Sequence, residues 1–165
     1  MKNWNLKIKE CETEIEFEKA KLLLNKYNLG FEKDVCKTIV IKINNKVIGV
    51  GSIDTNILKN IVIDEKFRGQ GLLNKLVTKL KKELYKNDFN KAFLYTSEKN
   101  IDLFNSLGFK VIEKVEKYPV FMEDSIKGIG EFQENISNKI NNFSSCKLEQ
   151  LNIGSLVMNC NPLTK

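Results

Sequence analysis

The sequence predicts a mixed α/β fold, a β-sheet carrying helices on its faces, and three observations carry that prediction. Two β-rich runs, Lys37 to Ile43 and Lys46 to Ile53, are joined by a two-residue Asn44-Asn45 turn, a strong hairpin signal. An apolar run, Ile61, Val62 and Ile63, passes through a short charged turn into Arg68-Gly-Gln-Gly71 and a long amphipathic helix. The elements then read in order as β-α-β-β-β-α-β-α-β-β, too interleaved for an all-α or all-β chain.

Leu6 and Ile8 alternate with polar residues and predict the first strand. Phe17, Ala20, Leu24 and Tyr27, spaced 3, 4 and 3 apart, predict a helix that stops near Asn28-Leu-Gly30. After the hairpin comes the stretch Ile57 to Tyr85, around which the chain is organised. Its helix is expected to bury Leu73, Val77, Leu80 and Leu84, at offsets 0, 4, 7 and 11. Lys91 to Ser97 reads as a buried strand between Asn90 and Glu98-Lys-Asn. Asn100 to Leu107 reads as a short helix ended by Gly108, Phe109-Lys-Val-Ile as a strand, and Val120 to Glu123 as the last strand of the sheet after a bend at Pro119.

From about Ser125 the character changes. Ile129, Phe132, Ile136 and Ile140, spaced 3, 4 and 4, predict one more amphipathic helix, followed by a polar linker at Asn141-Asn-Phe-Ser-Ser. Ile153 to Met158 is then an apolar strand that runs into Asn159-Cys-Asn-Pro-Leu-Thr-Lys165. It either pairs back onto the sheet or opens a second domain. The expected organisation is a domain over residues 1–124, a helix and linker over 125–150, and a new element over 151–165.

Composition excludes several function classes. Lys+Arg total 27 against 21 Asp+Glu, a net charge of +6, but the lysines are interleaved with acids. That describes a solvated surface and not a nucleic-acid face, although the positive field would draw a polyphosphate. No apolar run is long enough to span a bilayer, and the N-terminus carries no continuous apolar signal segment, so no membrane partner and a cytoplasmic location are expected. Cys11, Cys36, Cys146 and Cys160 are widely spaced, which reads as reduced packed thiols and not as a metal site. Histidine is absent from all 165 residues. Ser-His and Cys-His nucleophile pairs, histidine bases and the usual zinc sites are therefore excluded within this chain.

The loop that opens the long helix suits an anion. Gly69 and Gly71 free the backbone to approach a phosphate, and the N–H groups of the first helical turn have no intrahelical partner. Arg68 is the only arginine, and its planar multi-donor group stands beside this loop. Arg68, Gly69, Gln70, Gly71 and Leu72 are the binding candidates; the alternative is a helix start with flexible glycines and no ligand.

The element order, with Asp64-Glu-Lys-Phe-Arg68-Gly-Gln-Gly71-Leu and Leu103-Phe-Asn-Ser-Leu-Gly108-Phe109, resembles the GNAT acyltransferase family over roughly Leu6 to Asp124. The resemblance implies a mostly antiparallel mixed sheet with helices on both faces. It also implies acetyl-CoA or a CoA-like group, with its pyrophosphate on the loop amides and its pantetheine arm along Ile61, Val62 and Ile63. The family's Arg/Gln-x-x-Gly-x-Gly/Ala signature maps onto Arg68, Gly71 and Leu73. Four positions depart from the family pattern: Leu73 replaces the last small residue, Phe104 stands where a tyrosine acid is usual, and Ser97 and Asn100 replace an asparagine and an alanine. Phenylalanine has no proton to give, so no catalytic residue is assigned. If the chain were an amine acetyltransferase, Asn60, Asp64 and Tyr95 would be the substrate-side candidates.

The tail, Leu156-Val-Met-Asn-Cys-Asn161-Pro-Leu-Thr164-Lys165, resembles the start of the catalytic domain in the citrate lyase ligase family, whose first strand ends in Asn-Pro-Phe-Thr-x-Gly-His. In that family a GNAT-like domain precedes a nucleotidyltransferase domain. Together they acetylate the thiol of citrate lyase's acyl carrier protein with ATP and acetate, forming AMP. The resemblance implies that Asn161, Pro162 and Thr164 begin a nucleotide site that the chain breaks off before completing. The GNAT-like part would then be a binding module for the carrier's CoA-like arm.

Overall fold

Seven strands build one sheet. The computed structural model describes residues 5–31, 35 and 37–125. Its strands are β1 (Leu6–Glu10), β2 (Lys37–Ile43), β3 (Lys46–Asp54), β4 (Ile57–Ile63), β5 (Lys91–Thr96), β6 (Lys110–Glu113) and β7 (Val120–Ser125), and its helices are α1 (Glu14–Lys26), α2 (Leu72–Lys86) and α3 (Ile101–Asn105). The sheet order is β1-β2-β3-β4-β5-β7-β6. Every neighbouring pair is antiparallel except β4 and β5, which run parallel. The β2–β3 turn is the expected one: Asn44 and Asn45 have φ of 46° and 65°, the left-handed pair that a tight hairpin requires.

Helices cover both faces because alternate strand residues point to opposite sides. Ile39, Ile41, Ile48 and Ile63 meet Leu76, Leu80 and Leu84 of α2, together with Phe104 and Phe109. On the other face Val40, Val50 and Val62 meet Ala20, Leu23 and Leu24 of α1. Helix α1 starts at Thr13, whose hydroxyl accepts from the Glu16 N–H. It ends at Asn28, φ 55°, so asparagine and not Gly30 supplies the left-handed stop. Cys11 is buried beside α1, where burial pushes its thiol up to about 11.

Two expectations need correction. The buried stripe of α2 is Leu72, Leu76, Val77, Leu80 and Leu84, while Leu73 is only partly buried. The doublet Leu72-Leu73 fits two helical phases, and packing on the sheet chose the one through Leu72. Strand β5 ends at Thr96, and Ser97 caps a 3-10 turn (Glu98–Asn100) that precedes α3. The helix expected over Ile129 to Ile140, the strand over Ile153 to Met158, Asn161, Pro162 and Thr164, and Cys36, Cys146 and Cys160 lie outside the described residues. Among the described residues no helix is long and apolar enough to cross a membrane.

Candidate functional site

Strands β4 and β5 begin side by side and then part. Their pairing is confined to Ile57 with Phe93 and Leu58 with Leu94. Beyond it β4 stays paired with β3, through a register shift opposite Asn60, whose φ is 55°. The shift is a β-bulge, which bends a strand and increases its twist. Among the described residues the β5-facing edge of Lys59 to Ile63 therefore has no ladder partner, and it forms one wall of a cleft of about 880 Å³. Leu94 to Ser97 form the opposite side, Leu103, Phe104 and Leu107 contribute apolar surface, and Arg68, Gly69 and Gly71 to Asn74 close the end.

The closed end has the chemistry that suits an anion. Gly69 and Gly71 have φ of 73° and 70°, and nothing lies within 4 Å of where a side chain would project from either. The left-handed backbone demands glycine there, and the space around it stays open. Gly71 is the N-cap of α2 and offers no side chain to the first turn, which carries no acidic residue. Its leading N–H groups and the positive end of the helix dipole are left for a ligand. Arg68 is held from behind: its Nε donates to the Ile63 carbonyl at 3.2 Å, and its guanidinium lies over the Tyr27 ring, 5.3 Å from the centroid.

That ring anchors the loop twice, because the Tyr27 hydroxyl also accepts from the Glu65 N–H at 2.8 Å. The spacing of Tyr27 on the apolar face of α1 does not show this role. Its one available signal was a polar handle in the last turn of the helix. Asp64 is buried and caps the 3-10 turn Glu65–Phe67 by accepting from the Lys66 N–H at 3.2 Å. Burial pushes its carboxyl up, but the Lys66 N–H and the Lys26 ammonium, 3.5 Å away, outweigh it and hold the group below its ordinary value. Asp64 thus shapes the turn and does not line the cleft.

Of the residues singled out from sequence, Ile61, Val62, Ile63, Arg68, Gly69, Gly71 and Leu72 all line the cleft. Gln70, between the glycines, is exposed and does not. Leu73 narrows the cleft at the loop. Phe104, 8% exposed, packs edge-on against Phe109 with centroids 6.0 Å apart and leaves an apolar wall where an acid would be needed. Asn60 and Tyr95 also line it; Tyr95 is 59% exposed and stacks on Phe121. The Asn100 amide donates to Thr96 Oγ1 and Ser97 Oγ, so these polar groups satisfy one another.

The charges are one-sided. Arg68 and Lys99 line the cleft together with Lys59, which pairs with Asp54 at 2.8 Å, and among the described residues no aspartate or glutamate lines it. Such a groove favours a polyanion and supplies no carboxylate base. It has an apolar floor, a strand edge that can pair with amide groups, and at one end a glycine loop and helix start of the kind that suits an anion.

Comparison with known proteins agrees with this geometry. Residues 11–138 match the family model described as "Acetyltransferase (GNAT) domain". The chain is 31% identical over 141 residues to a [Citrate [pro-3S]-lyase] ligase of Klebsiella pneumoniae, a match covering 86% of this chain and 39% of that protein. The chain therefore spans well under half the length of that curated relative. Among solved structures, an aminoglycoside 6'-N-acetyltransferase complexed with coenzyme A superposes with a TM-score of 0.64 at 13% identity, covering 73% of this chain and 97% of that one. A GNAT family N-acetyltransferase (YhbS) from Escherichia coli in complex with CoA superposes at 0.60 with 18% identity, covering 76% and 83%.

Proposed function

The chain belongs to the GNAT acetyltransferase-domain family, and from that premise we propose that its cleft grips a CoA-type arm, with the phosphates at Arg68, Gly69 and Gly71 and the pantetheine along Ile61 to Ile63. We propose further that the domain does so within a citrate lyase ligase. The arm is then the dephospho-CoA-derived prosthetic group of citrate lyase's acyl carrier protein, whose thiol is acetylated with ATP and acetate to give AMP and pyrophosphate. Asn161, Pro162 and Thr164 would open the ATP site of such a protein.

The single observation that carries this reading is the carboxylate-free cleft running from the unpaired edge of β4 to the uncapped start of α2. The similarity to the Klebsiella ligase supports its assignment to citrate lyase activation. Phe104 supports gripping over transfer, because a thiolate leaving acetyl-CoA would find no acid there.

Calorimetry of the 165-residue chain with dephospho-CoA and with CoA tests the grip. Wild type should bind both, and Arg68→Ala should weaken both about tenfold, the value of one charge-assisted phosphate contact. Absence of binding by wild type would refute the reading. Amine-dependent turnover of acetyl-CoA would displace it in favour of an N-acetyltransferase.

A further inference from the structure

A second groove lies on the outer face of α2. Ile8 of the edge strand β1 forms its apolar floor, and Asn74, Lys75, Thr78, Lys79 and Lys82 form its rim. It shares Gly71 and Asn74 with the cleft, so the two concavities meet at the first turn of α2. The face is strongly basic. Lys75, Lys79, Lys82 and Lys86 follow one another at offsets 0, 4, 7 and 11, a single helical stripe. Glu83, the one acid of α2, is already held by Lys37, Lys79 and Lys86 at 3.2, 2.7 and 3.3 Å. Lys37 also pairs with Glu10 at 3.0 Å, so Glu83 alone offsets the four lysines and the stripe stays positive, with Lys75 and Lys82 exposed on it.

The direction of the arm gives this stripe a use. A ligand with its phosphates at the start of α2 and its thiol end along β4 must send its nucleotide end the other way. The groove adjoins the cleft at Gly71 and Asn74 and so offers that end a way out. Any macromolecule attached at the nucleotide end is therefore held over the lysine stripe.

We infer that the exposed face of α2, centred on Lys75, Lys79 and Lys82, is the docking surface for an acidic face of the protein that carries the arm. The inference rests on the proposed reading of the cleft and adds to it a site and a partner chemistry. Recognition is then bipartite: the cleft holds the arm and the stripe holds its carrier. Joining two contacts through one short tether raises the affinity above that of either alone. Because the stripe is solvent-exposed, its contribution acts mainly on the association rate and is screened by salt.

The test compares two probes, free dephospho-CoA and citrate lyase acyl carrier protein bearing its prosthetic group, on wild type, on Lys82→Glu/Lys86→Glu, both exposed on the stripe and well beyond the first turn of α2, and on a charge-matched control. The control, Lys19→Glu/Lys110→Glu, places the same charge change at exposed positions off α2. Wild type should bind the carrier at least tenfold tighter than the free arm at low salt, with an association rate that falls steeply as salt is added. The α2 variant should lose about tenfold or more on the carrier and less than threefold on the free arm, and should flatten the salt dependence; the control should keep wild-type values on both. Equal losses on both probes, equal losses in the control, or a carrier that binds no tighter than the free arm would each overturn the docking surface while leaving the cleft reading in place. Failure of wild type to bind free dephospho-CoA would overturn the cleft reading and the inference with it.

Discussion

Asn74→Asp separates an anion seat from an ordinary helix start, because both predict a gain in stability but only the seat predicts a loss of binding. Asn74 is the third residue of α2, is exposed, and accepts from the Thr78 hydroxyl at 3.1 Å through Oδ1, a contact a carboxylate keeps. A negative charge in the first turn of a helix stabilises it by about 0.3–1 kcal/mol through the dipole, so the fold should gain about 2 °C in thermal midpoint. The same charge would lie roughly 7 Å from a pyrophosphate seated on the leading N–H groups. At an effective dielectric between that of water and that of a protein surface, this costs about 0.6–2.4 kcal/mol per phosphate charge before screening. A net penalty of about 2 kcal/mol corresponds to about a 30-fold loss of affinity for dephospho-CoA. Calorimetry and thermal melts in one buffer read both quantities, and repeating the titration at high salt should shrink the loss. A variant that is more stable yet binds as tightly as wild type would refute the phosphate seat.

Three further outcomes follow from the packing. The Lys42 ammonium, 2.6 Å from Glu16, holds that buried carboxyl at about 2 against burial and an ordinary value of 4.5, and Lys79 and Lys37 do the same for Glu83. Both groups are depressed in the fold, so their stabilisation is complete above about pH 4.5 and is lost as pH falls towards 2. Glu16→Gln should lower the thermal midpoint at pH 7 and flatten the acid limb; an unchanged limb counts against the pairing. Gly108→Ala should destabilise by about 1–3 kcal/mol, since φ is 97° and the new carbon would meet Asp124 Oδ1 at 3.0 Å and Lys81 Nζ at 3.3 Å; denaturant midpoints measure it. Tyr85→Phe should cost about 1 kcal/mol in the same assay by removing its 2.9 Å hydrogen bond to Asp124.

Features written locally were legible in the sequence. The hairpin could be read because Asn-Asn can occupy two successive left-handed positions, and α1, α2 and the strands because their periodicities are regular. Features that depend on residues far apart were not. Arg68 and Tyr27 are 41 residues apart, and only the packing of α1 beside the loop brings them together. The buried phase of α2 was ambiguous at Leu72-Leu73 until the sheet selected one. Asp64 looked like a substrate-side acid because a three-residue 3-10 turn leaves no periodic trace by which its capping role could be recognised.

The parting of β4 from β5 is the least legible feature and the one on which the site depends. Its local trace is Asn60, a residue type that tolerates the left-handed region, within an otherwise strand-like run. What holds the strands apart is the rest of the sheet. Strand β4 is tied to β3 on its other edge, with Ile63 packed under α2 and Val62 under α1. Strand β5 is tied along all six residues to β7. Each strand is therefore fixed by neighbours that the cleft does not share, and the free edge of β4 does not have to be exposed at the moment of binding. A ligand with amide groups can complete that edge at little reorganisation cost. The shape of the cleft is thus set by strands held from outside it and does not depend on whether the position of Phe104 carries an acid.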